Sequence, residues 1–304
     1  MNYFGVFLKG ILMGAADVVP GVSGGTIAFI AGIYDILLKS IRSINLGFIS
    51  VWKKDGFKNA FEYINGFFLI ALLGGILIGI LTLAKLVSWL LVSNPIQTWS
   101  FFFGLILISA FHMFRQMKKQ CSFFRFLFLV FGGVFAYVIT MLRPLQFEFT
   151  GIAILFAGSL AICAMILPGI SGSLVLIFLG MYTPMLEAVK SFQIDTLVLF
   201  LLGCVGGLLS FARLIYFFIN KFRDVTLLFL SGLMLGSLPK LWPWKITVSW
   251  RIDANGELTP FLEKNLSPFE FEIVSAQPAQ LGSAVIFMFC AVGLVLGLEK
   301  ISKG

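Results

Sequence analysis

Charge is the scarcest commodity in this chain. Only 12% of its 304 residues are charged, about half the share found in soluble domains. A water-facing surface for a protein of this size cannot be assembled from so few charges, which excludes an ordinary soluble domain. Histidine is nearly missing, with His112 alone. Carboxylates do not cluster, and Ser23 and Ser171 have no histidine near them in sequence. Hydrolytic or transfer chemistry needs an acid–base pair or a nucleophile with its base, so no catalytic residues are expected. No metal-ligand spacing is present either, and neither a metal nor a cofactor is expected. The four cysteines form no CxxC pair; Cys163, Cys204 and Cys290 sit inside apolar runs and read as small buried residues. The first 14 residues hold one lysine and no small-residue cleavage site, so the chain reads as mature from its start.

Apolar sequence fills the space that charge leaves. Hydrophobic residues make up 59% of the chain, including 35 phenylalanines, and the mean hydropathy is +1.02. Runs long enough to cross about 30 Å of hydrocarbon recur. The pattern predicts an all-α membrane protein. A broken apolar block covers about 4–38, followed by a basic stretch to about residue 65 and spans near 66–92, 98–114 and 123–142. A second broken block covers about 151–186. Spans follow near 196–219, 226–242 and 280–298, with a polar insertion at about 243–278.

The two broken blocks repeat one another. Gly10, Pro20, Gly21, Ser23, Gly24, Gly32 and Tyr34 match Gly158, Pro168, Gly169, Ser171, Gly172, Gly180 and Tyr182, always 148 positions apart. The later spans match at a shift of 128, pairing Gly75, Gly79, Lys85 and Gly104 with Gly203, Gly207, Arg213 and Gly232. Identities held at fixed offsets mark an internal duplication, with a first repeat at 1–148 and a second at 149–304. If each broken block is a re-entrant hairpin, three full crossings follow it. The second repeat is then inverted relative to the first. Leaving aside Lys85 and Arg213, fourteen lysines and arginines then fall on the side of the N-terminus and six on the other. That bias places the N-terminus in the cytoplasm and accounts for the net charge of +8 without nucleic acid. Broken blocks that each crossed once would make the repeats parallel and put the basic stretch opposite the N-terminus, an arrangement the charge bias disfavours.

Each break has the composition of an anion site. Pro20 and Pro168 remove an N–H and disfavour helix before them, while Gly21 and Gly169 permit a tight backbone. The segments Ser23-Gly24-Gly25-Thr26 and Ser171-Gly172-Ser173 then read as capped helix starts, whose free N–H groups attract anions. A packing kink between helices is the plainer alternative. Lys85 and Arg213, counterparts in the duplication, lie well inside apolar spans, where a cation costs about 2.5–3.5 kcal/mol. They are candidate phosphate ligands, unless their heads snorkel to an interface. Asp17, replaced by Met165 in the second repeat, is a candidate for coupling to a proton or for pairing with Lys85 or Arg213; the alternative is a bond to local backbone at a helix end. Tyr34 and Tyr182 read as interfacial belt residues.

The run from Gly14 to Thr26, together with Pro168-Gly169-Ile170-Ser171-Gly172, resembles the bacterial polyprenyl-phosphate transporters, and the resemblance covers nearly the whole chain. It implies paired re-entrant hairpins in an inverted repeat and a role in returning undecaprenyl phosphate, the lipid carrier of cell-wall synthesis, from the outer to the inner leaflet of the cytoplasmic membrane. A lipid monophosphate needs a donor-rich pocket for its head and an apolar path for its tail. A transporter of a small soluble anion would share the polar features, and a membrane scaffold would share the apolar ones.

Overall fold

The computed structural model describes residues 2–19, 21–117, 122–141, 148–252 and 258–303. Pro20, one of the expected helix-break residues, lies outside them. Fourteen α-helices are seen among the described residues: α1 (Tyr3–Asp17), α2 (Gly24–Ile30), α3 (Tyr34–Arg42), α4 (Leu46–Tyr63), α5 (Gly66–Ser93), α6 (Pro95–Arg115), α7 (Phe123–Met141), α8 (Gly151–Ile166), α9 (Gly172–Phe178), α10 (Tyr182–Lys190), α11 (Ile194–Lys221), α12 (Arg223–Ser237), α13 (Pro268–Ser275) and α14 (Leu281–Lys303). A 3₁₀ turn, Leu238–Leu241, extends α12. Two antiparallel strands, β1 (Lys245–Ile252) and β2 (Leu258–Asn265), form a hairpin inside the polar insertion.

Helices α5, α6, α7, α11 and the stretch Arg223–Leu241 are each long and apolar enough to cross a membrane, so the protein is a multi-pass membrane protein. The short helices behave differently. Helices α2 and α3 meet at a bend of 116°, and α9 and α10 at 109°. Gly32 and Gly180 sit at these bends with φ of 68° and 69°, a left-handed backbone open to glycine and strained for other residues.

Small residues set how the helices pair. Gly75 lies against the backbone of Phe7, and Gly79 against that of Ile11, so positions advance together and α1 runs parallel to α5. In the same way Gly203 meets Leu155 and Gly207 meets Ser159, which makes α8 parallel to α11. A chain that enters with α1 and then runs parallel again in α5 must return in between. The bent α2–α3 pair is therefore part of a re-entrant excursion, and the same argument holds for α9–α10. Close helix contact through glycine is the ordinary membrane solution, because lipid supplies no hydrophobic drive between helices.

The two repeats interlock through their remaining spans. Gly232 lies against Leu129, and Gly236 against Gly133, so α7 and α12 are parallel. Gln97 bonds Gln280 and Ser283, and Gly104 faces Met288, so α6 and α14 are parallel. The counterparts α6 and α12 run in opposite senses. Phe103 packs on Trp242, beyond the end of α12, with centroids 5.6 Å apart, while later residues of α6, from Leu107 to Phe114, line one cavity with the earlier Ser231 and Leu235 of α12. Opposed counterpart helices are what an inverted repeat requires.

The cysteines fit in part. Cys163 and Cys204 are half-buried in the α8–α11 seam, where their thiols approach the carbonyls of Gly207 and Gly158. Cys290 is instead exposed on α14; on an apolar helix that face is suited to hydrocarbon, and a small thiol sits there without penalty.

Candidate functional site

The chain breaks meet each other. Gly21 and Gly169 adopt φ of 91° and 89°, so the same left-handed step ends both helix approaches. After each step a serine starts the next helix, and Ser23 Oγ accepts from Gly25 N at 3.1 Å. Helix α8 ends inside the protein and leaves its last carbonyls without intrahelical partners. Hydroxyls of the first repeat fill that need. Ser23 donates to Met165 O at 2.8 Å, and Tyr34 donates to Ile166 O at 3.2 Å. In return Gly169 N donates to Thr26 Oγ1 at 3.2 Å. Ser23 and Thr26 are fully buried.

Helix starts α2 and α9 are not equivalent. Asp17 accepts from Gly24 N at 2.7 Å, so a carboxylate already occupies the first turn of α2. At the matching position of the second repeat Met165 lies beside Gly172, and a thioether accepts poorly. Ser171 and Ser173 bond each other at 2.7 Å. Two hydroxyls sharing one bond leave one proton to donate elsewhere.

Lys85 stands on α5 of the first repeat and Arg213 on α11 of the second. The α1–α5 pairing keeps an offset of 68, seen at Phe7 with Gly75 and Ile11 with Gly79, and continuing it sets Lys85 level with Asp17. The α8–α11 offset of 48, seen at Leu155 with Gly203 and Ser159 with Gly207, sets Arg213 level with Met165. Both side chains are exposed. Arg213 donates to Ile44 O at 3.1 Å, while Lys85 has no hydrogen bond or ion pair among the described residues. Neither forms an ion pair with Asp17 among those residues.

Sequence reasoning missed three contributors. Tyr34 is not a belt residue: it is buried to 2% exposure, because its hydroxyl closes the end of α8. Its position two residues after the bend glycine was the available signal. Lys9, counted only as a topological charge, donates to Ala31 O at 2.7 Å and ties α1 to the end of α2. The return helix α3 docks on the second repeat, with the Arg42 guanidinium 4.4 Å above the Tyr216 ring and Arg223 3.4 Å from Asp35.

Two features flank the junction. A cavity of about 580 Å³ lies between α1, α2, α5, α6 and α14. Its walls are mostly apolar, among them Leu12, Ala16, Ile27, Phe102 and Phe287, with Asn94, Gln97, Thr98 and Ser283 supplying polar groups. The second feature is charged. Gly21 packs against the stem of Lys240 and against Leu241. Lys240 Nζ is 2.9 Å from Glu263 on β2, and Lys245 Nζ is 3.3 Å from the same carboxylate. Lys245 also lies 3.5 Å from the Trp99 ring centroid. Burial pulls its ammonium down to about 8, against the pull of Glu263. Burial alone would raise Glu263, but Lys245 and Lys240 hold it below the usual carboxylate range.

Comparison with known proteins follows the same line. A family model described as undecaprenyl phosphate translocase-like matches residues 13–259. The chain is 59% identical over 303 residues to a polyprenyl-phosphate transporter of Vibrio cholerae, covering 100% of this chain and 98% of that protein. It is 29% identical over 253 residues to a polyprenyl-phosphate transporter of Staphylococcus aureus, covering 78% of this chain and 85% of that one. No solved structure matches the chain.

Proposed function

The chain belongs to the undecaprenyl phosphate translocase-like family, and we infer that it transports a polyprenyl phosphate, moving undecaprenyl phosphate from the outer to the inner leaflet of a bacterial cytoplasmic membrane. The carrying observation is the junction of the two breaks beside an apolar cavity. Hydroxyls and helix starts suit a phosphate head, and the walls of the 580 Å³ cavity suit the first prenyl units. A soluble anion would gain nothing from those walls. The lipid is moved and no bond in it is broken.

In this reading the headgroup is received at Ser171, Gly172 and Ser173, where the helix start holds no carboxylate. Ser23, Gly24, Gly25 and Thr26 form the matching half. In the observed state Ser23 donates to Met165 O, Gly24 N to Asp17 and Gly25 N to Ser23 Oγ, while Thr26 Oγ1 accepts from Gly169 N. Rocking of one repeat against the other breaks the bonds between the repeats, and neutralisation of Asp17 releases Gly24 N, which together free the first half for the phosphate in alternating access. Gly21 and Gly169, with Pro20 and Pro168, are the hinges. Lys85 and Arg213 guide the headgroup at the level of the breaks, and Asp17 couples the cycle to a proton or sodium ion. The N-terminus is cytoplasmic.

Purified protein in liposomes with labelled undecaprenyl phosphate tests this. Wild-type protein moves the label between leaflets, while Lys85→Ala and Arg213→Ala each lower the rate at least tenfold with an unchanged melting temperature. Wild-type rates from both variants would remove the cations from the mechanism. Equal inhibition by inorganic phosphate and by unlabelled lipid would favour a soluble anion as substrate.

A further inference from the structure

The charged group beside the first break has no part in that cycle, and its chemistry is unbalanced. Two ammonium groups share one carboxylate, leaving a net positive charge where the side chains of Lys240, Lys245 and Glu263 are only 28%, 7% and 19% exposed. Burying such a trio contributes little to stability, because the loss of hydration offsets most of the attraction. Lys245 is held from two further directions: by the carbonyl of Lys240 at 3.2 Å and by the face of Trp99. These contacts fix two cations in place around one anionic position.

The location adds a second argument. Lys240 belongs to the 3₁₀ turn after α12, and its stem touches Gly21 at the hinge of the first break. Glu263 lies on β2, and Lys245 opens β1 of the same hairpin. The end of that hairpin is tied to the turn by Asn265, which donates to Pro239 O, and by Trp242, which donates to Leu266 O. The carboxylate therefore leaves the lysines by rotation of its own side chain, while both lysines stay beside the hinge. A phosphate monoester carries about −1.5 to −2 charges at pH 7 and would match the two ammonium groups better than one carboxylate does.

We propose that Lys240 and Lys245 form a waiting site for the phosphate monoester headgroup of a lipid, and that Glu263 closes this site in the observed state by occupying it. The headgroup displaces Glu263, and the contact between Lys240 and Gly21 passes the event to the first break. This rests on the transport of a polyprenyl phosphate inferred above. It adds a binding step before the breaks and makes the Glu263 side chain a gate.

The test uses the full chain in detergent micelles, titrated with a short-chain polyprenyl phosphate and followed by tryptophan fluorescence. Trp99 lies under Lys245, so Trp99→Phe identifies its share of the signal. Glu263→Gln keeps the shape of the side chain and removes its charge. The expected result is about tenfold tighter binding in Glu263→Gln and at least tenfold weaker binding in Lys240→Gln. The neutral polyprenol should give no response. A purely structural salt bridge predicts the reverse for Glu263→Gln, which would then bind no more tightly, and that result would overturn the proposal. Inorganic phosphate acting at the same concentrations as the lipid would overturn the lipid assignment. If Glu263→Gln melts early, liposome transport gives the second measurement: the lipid concentration for half-maximal rate must fall. Wild-type transport with no such fall sinks the gate alone, whereas wild-type protein that moves no polyprenyl phosphate sinks the transport reading itself.

Discussion

Replacing Gly25 by valine will abolish transport and lower the melting temperature. A Cβ at this position would run into the carbonyl of Ile166 and lie 3.0 Å from Met165 O. Both obstacles are backbone at the end of α8, and neither can swing aside as a flexible side chain would. The two breaks must separate. Overpacking of this kind costs about 1–3 kcal/mol. Separation also breaks the bonds from Ser23 to Met165, from Tyr34 to Ile166 and from Gly169 to Thr26, each worth about 1 kcal/mol net. Thermal unfolding in detergent and leaflet exchange in liposomes measure the two effects. Gly206→Ala is the control, since nothing lies within 4 Å of a Cβ there. A Gly25→Val protein that transports at the wild-type rate would show that the junction is not part of the cycle.

Asp17→Ala will remove the response of transport to an imposed ion gradient, with a loss of about a hundredfold in the driven rate. Asp17 sits where a phosphate would otherwise meet the start of α2, and its carboxylate accepts from Gly24 N. In the proposed cycle, binding a cation neutralises the carboxylate and releases that N–H to the phosphate. The variant loses both the titratable group and the cap, so a second substitution separates them. Asp17→Asn keeps an oxygen that can accept from Gly24 N but has no charge to titrate. It should fold with wild-type stability and still lack gradient response. If Asp17→Asn is driven like the wild type under both proton and sodium gradients, Asp17 is a local cap and the coupling lies elsewhere.

Much of the architecture was legible because membrane insertion leaves few choices. A charge-poor chain with apolar runs must be helical within the bilayer, since each backbone group needs a partner inside the segment. The duplication was legible because glycine and serine recur at constant offsets. The site was less so. Ser23 and Thr26 stood out by their place after a Pro-Gly break, but their partners did not, because those partners are main-chain atoms of Met165 and Gly169, far along the chain. Main-chain partners leave no trace in residue identity. Tyr34 was misread for the same reason: an aromatic with a hydroxyl looks alike at an interface and at a buried helix end. The trio of Lys240, Lys245 and Glu263 was hidden because Lys240 falls at the end of the expected span near 226–242, while Lys245 and Glu263 lie on two strands of the polar insertion at about 243–278, where no strands were expected.

The chain by itself determined that it is helical, membrane-embedded, duplicated and broken twice at equivalent points, since these follow from hydropathy, glycine and proline along a single dimension. Tertiary structure alone decided that the breaks touch, and that Asp17 bonds the start of α2 while no carboxylate stands at the start of α9. The contacts between the breaks join segments more than a hundred residues apart. They depend on how glycine-lined helices pair and on which buried carbonyl a hydroxyl can reach, and neither is encoded in local sequence.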